Sequence, residues 1–461
     1  TGLLLGLGTV LDLKTGPVIV AVAAAFLIFI VIIKNPRFGF YFILAFSSLT
    51  ITIDRLIKLP LPSGNFIELI TYICLFSLLL KKNLKGYKSG NFWTNPITVV
   101  QYFLFSYYIV EFFNPEMFSH LGWLSFFRKQ LSYFAFYYIC YFLLDSKVRI
   151  IYFVRFMIVL SSLLALYACK QQWFGYAGFE LRWIGTGNGY TLLWQGGLLR
   201  KFSVFSDPST SGILFAAISV LSVILLFRSR CKKEKYWLAV AVFVNLLGYL
   251  YSGTRTATLM IVAGIILYCV STIYEKQTWK FILYSALIFI VIWKLPVYNP
   301  VTNRIRSTFE GTRDASAAVR DYNRHLVQPY IQAHPMGGGI FTSGAEGNKY
   351  NVGHYLEYLQ SDSGYLKNIA EQGPIGLALL LIFYFVIMHY GFHKFFRVRD
   401  PEIRTYYIGL LVMMFTLLVA QYSQMAITQY PVVLYFYAIL VIIIKLASFD
   451  KPADRAELKE I

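Results

Sequence analysis

Apolar runs close to the length that spans hydrocarbon recur along most of this chain, as in "PVIVAVAAAFLIFIVII" at 17–33 and "KFILYSALIFIVIW" at 280–293. A bilayer core offers no water to satisfy backbone N–H and C=O groups, so runs of this kind cross as helices. Their repetition predicts an all-α polytopic membrane protein. Composition agrees, because 57% of the 461 residues are hydrophobic and only 14% are charged, too few to cover a soluble surface. An aromatic content of 18% suits interfacial belts and helix packing.

The runs place spans at about 17–33, 38–54, 64–80, 96–113, 131–145, 149–168, 210–227, 236–251, 256–274, 279–295, 374–391, 403–421 and 430–447, hence about 12–13 transmembrane helices. The first residues, "TGLLLGLGTVLDLKTG", lack a basic n-region and a small-residue cleavage site and are not expected to be a signal peptide. Basic residues alternate between connections. "KNPR", "KKNLKGYK", "DSKVR", "RSRCKKEK", "EKQTWK" and "HKFFRVRDPEIR" are short and mostly Lys/Arg-rich, which marks their side as cytoplasmic. Much of the net charge of +19 is thereby assigned to anionic headgroups, and no nucleic-acid partner is implied. The organisation expected is residues 1–295 with ten spans and an outer loop at 169–209, a large outer loop at 296–373, and C-terminal spans with a cytoplasmic tail at 374–461.

Long outer loops tend to carry function, and chemistry is therefore expected on the outer face. The turn "YSGTRTATLM" puts Arg255 at the outer membrane surface, where an arginine by itself reads as a snorkelling anchor. Its Ser-Gly-Thr lead also supplies a close backbone approach and the Thr254 hydroxyl beside a fixed cation, which suits a phosphate oxygen. In the long loop, "ASAAVRDYNRHL" after an Asp314 N-cap reads as a short helix stopped near Pro329. Arg320 and Arg324 stand one turn apart on it and can converge on one anion. "AHPMGGGIFTSG" rules out helix and lets backbone pass close to something.

Asp362, ahead of Tyr365, is a candidate general base, an N-cap, or a partner of Arg320. His354 is a second candidate base and Glu357 a third. Trp183 and Trp194, among Gly, Asn and Gln, are candidates for stacking on sugar faces, as is Tyr365, although an interfacial belt accounts for the tryptophans equally. No HExxH, paired CxxC, carboxylate cluster or nucleophile elbow occurs, so no metal or other cofactor is expected. An anionic substrate, most simply a phosphorylated lipid, fits the arginines.

The ordered set "FSDPSTSG" (205–212), "YSGTRTATLM" (251–260), "AAVRDYNRHLVQPYIQAHPMGGG" (317–339) and "DSGYLKNIAEQGPIGLALL" (362–380) resembles the O-antigen ligase and O-antigen polymerase superfamily of bacterial envelope glycosyltransferases. The resemblance covers roughly 150–420 and implies a fold related to GT-C glycosyltransferases in the bacterial inner membrane, with the long loop periplasmic. It implies an undecaprenyl-diphosphate-linked glycan as donor, no metal, membrane lipids as surroundings and a chain-length co-polymerase as a partner. Arg255 and Arg320 would hold the diphosphate. Ligases of the superfamily place a histidine just before the Tyr-Leu pair, whereas this chain has Asp362-Ser363 there, which favours a polymerase over a ligase. A transporter is the alternative class. It would show frequent midplane charges and paired broken helices, but Glu111 and Arg155 stand isolated and no repeat relates the halves.

Overall fold

The computed structural model describes residues 26–56, 63–85, 92–186, 189–195, 198–294 and 315–450. After a helical stretch at 26–34, the helices are α1 (Pro36–Leu56), α2 (Ser63–Lys85), α3 (Pro96–Val110), α4 (His120–Leu143), α5 (Lys147–Trp173), α6 (Gly178–Gly185), α7 (Gly189–Leu193), α8 (Pro208–Arg228), α9 (Lys232–Ser252), α10 (Arg255–Ser271), α11 (Lys276–Lys294), α12 (Ala315–Ala333), α13 (Gly344–Tyr350), α14 (Gly364–Phe395), α15 (Pro401–Ala420) and α16 (Val432–Lys445). A two-residue antiparallel ladder, β1 (Trp194–Gln195) with β2 (Leu198–Leu199), interrupts them.

Eight of these helices (α1, α2, α3, α5, α8, α14, α15 and α16) are long and apolar enough to cross a membrane, and α10 is a shorter apolar helix. The chain is an all-α polytopic membrane protein. The expected span at 17–33 lies largely outside the described residues, and those at 131–145, 236–251 and 279–295 fall on α4, α9 and α11.

Several helices begin by one device. Asn95, Asp207 and Asp400 each cap a helix whose first residue is proline; Asp207 Oδ1 accepts the amides of Ser209 (2.8 Å) and Thr210 (2.9 Å). Proline costs nothing at that position, since its absent N–H would have been an orphan anyway. α8 is the centre of one half of the bundle and packs on α9, α10 and α15. Its apolar stretch is 83% buried within the protein, against 28% for α14, so α8 meets helices on every side while α14 turns much of its surface to lipid.

The two ends of the bundle differ chemically. At one end the basic connections are tied by ion pairs: Lys147 to Asp400 (2.7 Å) and Glu402 (2.7 Å), Arg228 to Glu275 (2.6 Å), and Arg404 to Glu275 (3.5 Å). Asp450, after α16, accepts the amides of Arg399 and Asp400 at the same end. The other end holds α6, α7, α12, α13 and the long connections.

There α14 is broken. Gly373 has φ +65° and ψ −176°, ahead of Pro374, so a short outer segment precedes the long apolar one that was expected to start at 374. The glycine run docks into this break: the amides of Gly338 and Gly339 donate to the carbonyls of Ala370 (2.9 Å) and Glu371 (2.8 Å). A Cβ on Gly337, itself at φ +71°, would lie 2.5 Å from the Gly373 nitrogen, and one on Gly373 would strike the Pro335 carbonyl. Backbone thus meets backbone with no room for a side chain.

Glu111 belongs to the same joint. It closes α3 and is fully buried; Asn114 donates to its Oε2 (3.0 Å) and to the Met336 carbonyl (3.0 Å).

The end of α12 also differs from expectation. α12 continues through Pro329 to Ala333, because Val327 and Tyr330 pack with Leu356, Leu359 and Ala370 in a small core of their own. That burial outweighs the single hydrogen bond a proline removes. Replacing Gly373 by alanine forces a side chain into a left-handed backbone and onto the Pro335 carbonyl. We expect it to cost at least about 1–3 kcal/mol from backbone strain, read as a lower unfolding temperature in detergent.

Candidate functional site

The turn between α9 and α10 is built by a left-handed Gly253 (φ +59°), whose amide closes on the Leu250 carbonyl (3.1 Å), and by Thr254 leading into α10. A buried arginine clamps it. Arg200 donates from Nε to the Ser252 carbonyl (2.8 Å), from Nη1 to Gln195 Oε1 (2.9 Å) and from Nη2 to Thr254 Oγ1 (3.1 Å). Thr254 in turn donates to the Pro208 carbonyl (2.9 Å). The Thr254 hydroxyl, expected to face a phosphate, is therefore buried and engaged with the start of α8. In the sequence Arg200 is no more than a basic residue shortly before α8; its burial depends on contacts 52 and 54 residues away.

Arg255 is the first residue of α10 and is half-buried. Its neighbour Thr256 shares a hydrogen bond of 2.8 Å with Ser423. The guanidinium of Arg324 lies 4.6 Å over the Tyr422 ring and pairs with Asp321 (3.2 Å). The amide of Gly364 donates to the Gln421 carbonyl (3.0 Å). Three consecutive residues at the end of α15, Gln421 to Ser423, thus hold the Arg255 turn, α12 and the segment carrying Asp362. No motif marks this connection in the sequence; its signal is polarity, since "QYSQMAITQYP" sets three glutamines between two apolar spans.

Arg320 lies on α12 one turn before Arg324, and its side chain is outside the described residues, as are Arg304, Arg306, Arg313 and Asp314 altogether. Asp362 is exposed, and Ser363 rather than Asp362 caps α14, accepting the Leu366 amide at 3.3 Å.

His354 is buried. Its Nδ1 accepts the Leu356 amide (3.0 Å), and its Nε2 lies 3.4 Å from the Tyr330 hydroxyl. Burial lowers its pKa below the ordinary 6.5, with His334 adding repulsion and Glu116 opposing. Glu357 accepts the Gly353 amide (2.7 Å) and so closes the same turn.

The proposed sugar contacts divide. Trp183 lies under the Arg55 guanidinium (3.9 Å to the ring centroid) and makes an edge contact with Phe202, so packing already occupies one face. Tyr365 donates to the Leu418 carbonyl (2.9 Å). Trp194 is exposed, stacked on Tyr190.

A second charged group was not foreseen. Lys367 and Glu371, one turn apart on α14, meet Glu346 of α13: Lys367 Nζ is 3.1 Å from Glu346 and 3.7 Å from Glu371. Ser343 donates to Glu371 (2.6 Å). The Lys367 ammonium holds the Glu346 carboxyl below the usual carboxylate value despite its burial. The i, i+4 spacing in "LKNIAEQ" was the legible trace of this cluster.

Residues 240–381 match the family model described as O-Antigen ligase. The stretch runs from α9 through the Arg255 turn, α12 and Asp362 to the broken part of α14, and it supports the O-antigen ligase and polymerase superfamily, whose members are glycosyltransferase-like membrane enzymes. No curated protein matches the chain.

Two outcomes follow from this geometry. Arg200→Ala removes the charge-assisted hydrogen bonds to Ser252, Gln195 and Thr254 from a buried turn, each worth about 1.5–3 kcal/mol, and lowers the unfolding temperature more than Arg255→Ala does. His354 contributes stability above pH 6.5 that declines as pH falls below that value, because the unfolded chain takes up the proton first. Unfolding temperatures measured from about pH 7.5 to about 5.5 should fall, and His354→Asn should flatten that dependence.

Proposed function

From the family match over residues 240–381, we propose that the protein is a polysaccharide polymerase. It would move a growing glycan from undecaprenyl diphosphate onto a sugar hydroxyl of the next lipid-linked repeat unit, at the periplasmic face of the bacterial inner membrane. The observation that carries this reading is the convergence of the Arg255 turn, α12 and the Asp362 segment on Gln421–Ser423. All three lie within the family-matched stretch. The sidedness rests on the Lys/Arg-rich connections gathering at the opposite end.

In this mechanism Arg255 and Arg320 neutralise the departing diphosphate. Fixed cations aimed at developing charge are often the largest catalytic contribution. The acceptor oxygen attacks the anomeric carbon from the face opposite the leaving group. As the new C–O bond forms and the bond to the diphosphate breaks, Asp362 takes the hydroxyl proton, and the configuration inverts. Among the three candidate bases, Asp362 is exposed, while the His354 acceptor nitrogen is committed to the Leu356 amide and Glu357 accepts the Gly353 amide. A GT-C relationship and a chain-length co-polymerase belong to the same proposal.

A ligase, delivering glycan to lipid A core or another surface acceptor, is the second reading, favoured by the description of the matched family. One gel separates them. A deletion strain that caps its surface with single repeats indicates a polymerase, whereas polymer retained on its lipid carrier indicates a ligase. For either, Arg255→Ala and Arg320→Ala should each reduce transfer by about 10²–10³-fold while the protein stays in the membrane. Wild-type chain lengths from both variants would remove the assignment.

A further inference from the structure

Behind the Gln421–Ser423 turn, α3, α4, α14 and α16 enclose a cavity of about 310 Å³, at the lower end of the range of small-ligand sites. Neither Arg255 nor Arg324 lines it among the described residues; Gly364 and Gln421 do, so it adjoins the segment that carries Asp362. Aromatic rings form much of its wall, with Tyr133, Tyr384 and Tyr437 among them.

Three amide side chains face this space with unused polar atoms. Gln101 is 2% exposed and has neither Nε2 nor Oε1 hydrogen-bonded among the described residues. Gln372, 4% exposed, has its Oε1 unpartnered, and Asn368 has its Oδ1 unpartnered. A buried amide left this way is destabilising, and native interiors hold few of them. They are therefore informative about what the cavity takes.

The charges are informative too. The charged lining residues are Lys129, Lys367, Glu346 and Glu371, two of each sign, so the wall carries no net charge. Lys367 is already paired with the two glutamates, and Lys129 and Lys367 both lie over the Phe341 ring, at 5.3 and 5.4 Å. An anion finds no surplus of positive charge here. A hydrocarbon tail would leave the amides of Gln101, Gln372 and Asn368 unsatisfied.

A ligand that presents hydroxyls, each both donor and acceptor, along its edge and C–H groups on its faces fits amides and rings together. We propose that this cavity is the subsite for an uncharged sugar residue of the acceptor glycan, with Gln101 and Gln372 reading its hydroxyls. This rests on the glycan-transfer reading above and adds to it the class of sugar and the wall that recognises it.

The test needs no donor and so does not depend on transfer. Full-length protein in lipid nanodiscs is titrated with methyl glycosides of neutral hexoses and N-acetylhexosamines, and with a methyl glucuronide, using saturation-transfer NMR. At least one neutral glycoside should bind and the uronide should not. Gln101→Leu and Gln372→Leu should each weaken that binding about 10-fold, the loss of a hydrogen bond or two. Because leucine relieves a buried unpartnered amide, both variants should unfold at the same temperature as the wild type or higher. Failure of every neutral glycoside to bind, preference for the uronide, or binding that survives both substitutions would overturn the proposal. So would a lowered unfolding temperature in both variants, which would make the amides structural. Transfer assays on Arg255→Ala judge the broader reading separately.

Discussion

The placement of the outer elements depends on one backbone contact, the docking of Gly337–Gly339 against the broken turn of α14 at Gly373. Helices that cross a bilayer satisfy their own polar groups and need little from each other; a long outer connection has no such guarantee. Here the amides of Gly338 and Gly339 find the carbonyls that the kink at Gly373-Pro374 releases from α14. Both partners are defective by themselves, one too rich in glycine to be a helix and the other interrupted by a proline. Together they anchor the chain between α12 and α13 to the membrane bundle, and α12 is thereby held where Arg324 covers Tyr422.

That dependence explains what could be read from the residues and what could not. Apolar run length is a local property, so the membrane class and most helix positions were legible in the sequence. The glycine run was legible as a place of close approach, but its partners, Ala370 and Glu371, lie far along the chain, and no local pattern names a partner. The Pro329 boundary failed for a related reason: propensity ends a helix there, while the packing of Val327 and Tyr330 on Leu356 and Leu359 continues it. The turn at Gln421–Ser423 is a meeting point of three distant segments and had no motif of its own, only an excess of glutamine.

Two arginines near one turn illustrate how burial divides roles. Arg200 spends its donors on Ser252, Gln195 and Thr254, and a guanidinium so deeply buried is tolerable only because those acceptors replace water. Arg255 follows immediately on the turn that Arg200 fixes, and it stays half-buried at the head of α10. A cation intended for a ligand gains from being held still by something else, since the cost of ordering it is met during folding and not at binding. The sequence singles out Arg255 through its Ser-Gly-Thr lead, whereas the depth of Arg200 and its role beneath that turn appear only in the structure.

The turn at Gln421–Ser423 also divides two chemistries. On one side stand the Arg255 turn and the Arg324 helix, a cationic face. On the other, the cavity balances Lys129 and Lys367 against Glu346 and Glu371 and offers neutral amides. Had the cavity kept a surplus of lysine, it would compete with the arginine face for the same phosphate groups, and a diphosphate could settle in either. Pairing Lys367 with two carboxylates removes that competition, because the attraction of a cation for a distant anion is cancelled by a neighbouring opposite charge before it reaches across the turn. Under the transfer proposed above, a site that must tell a charged leaving group from an uncharged hydroxyl would need this kind of partition, which a helix break, a lysine between two glutamates and a three-residue turn would supply.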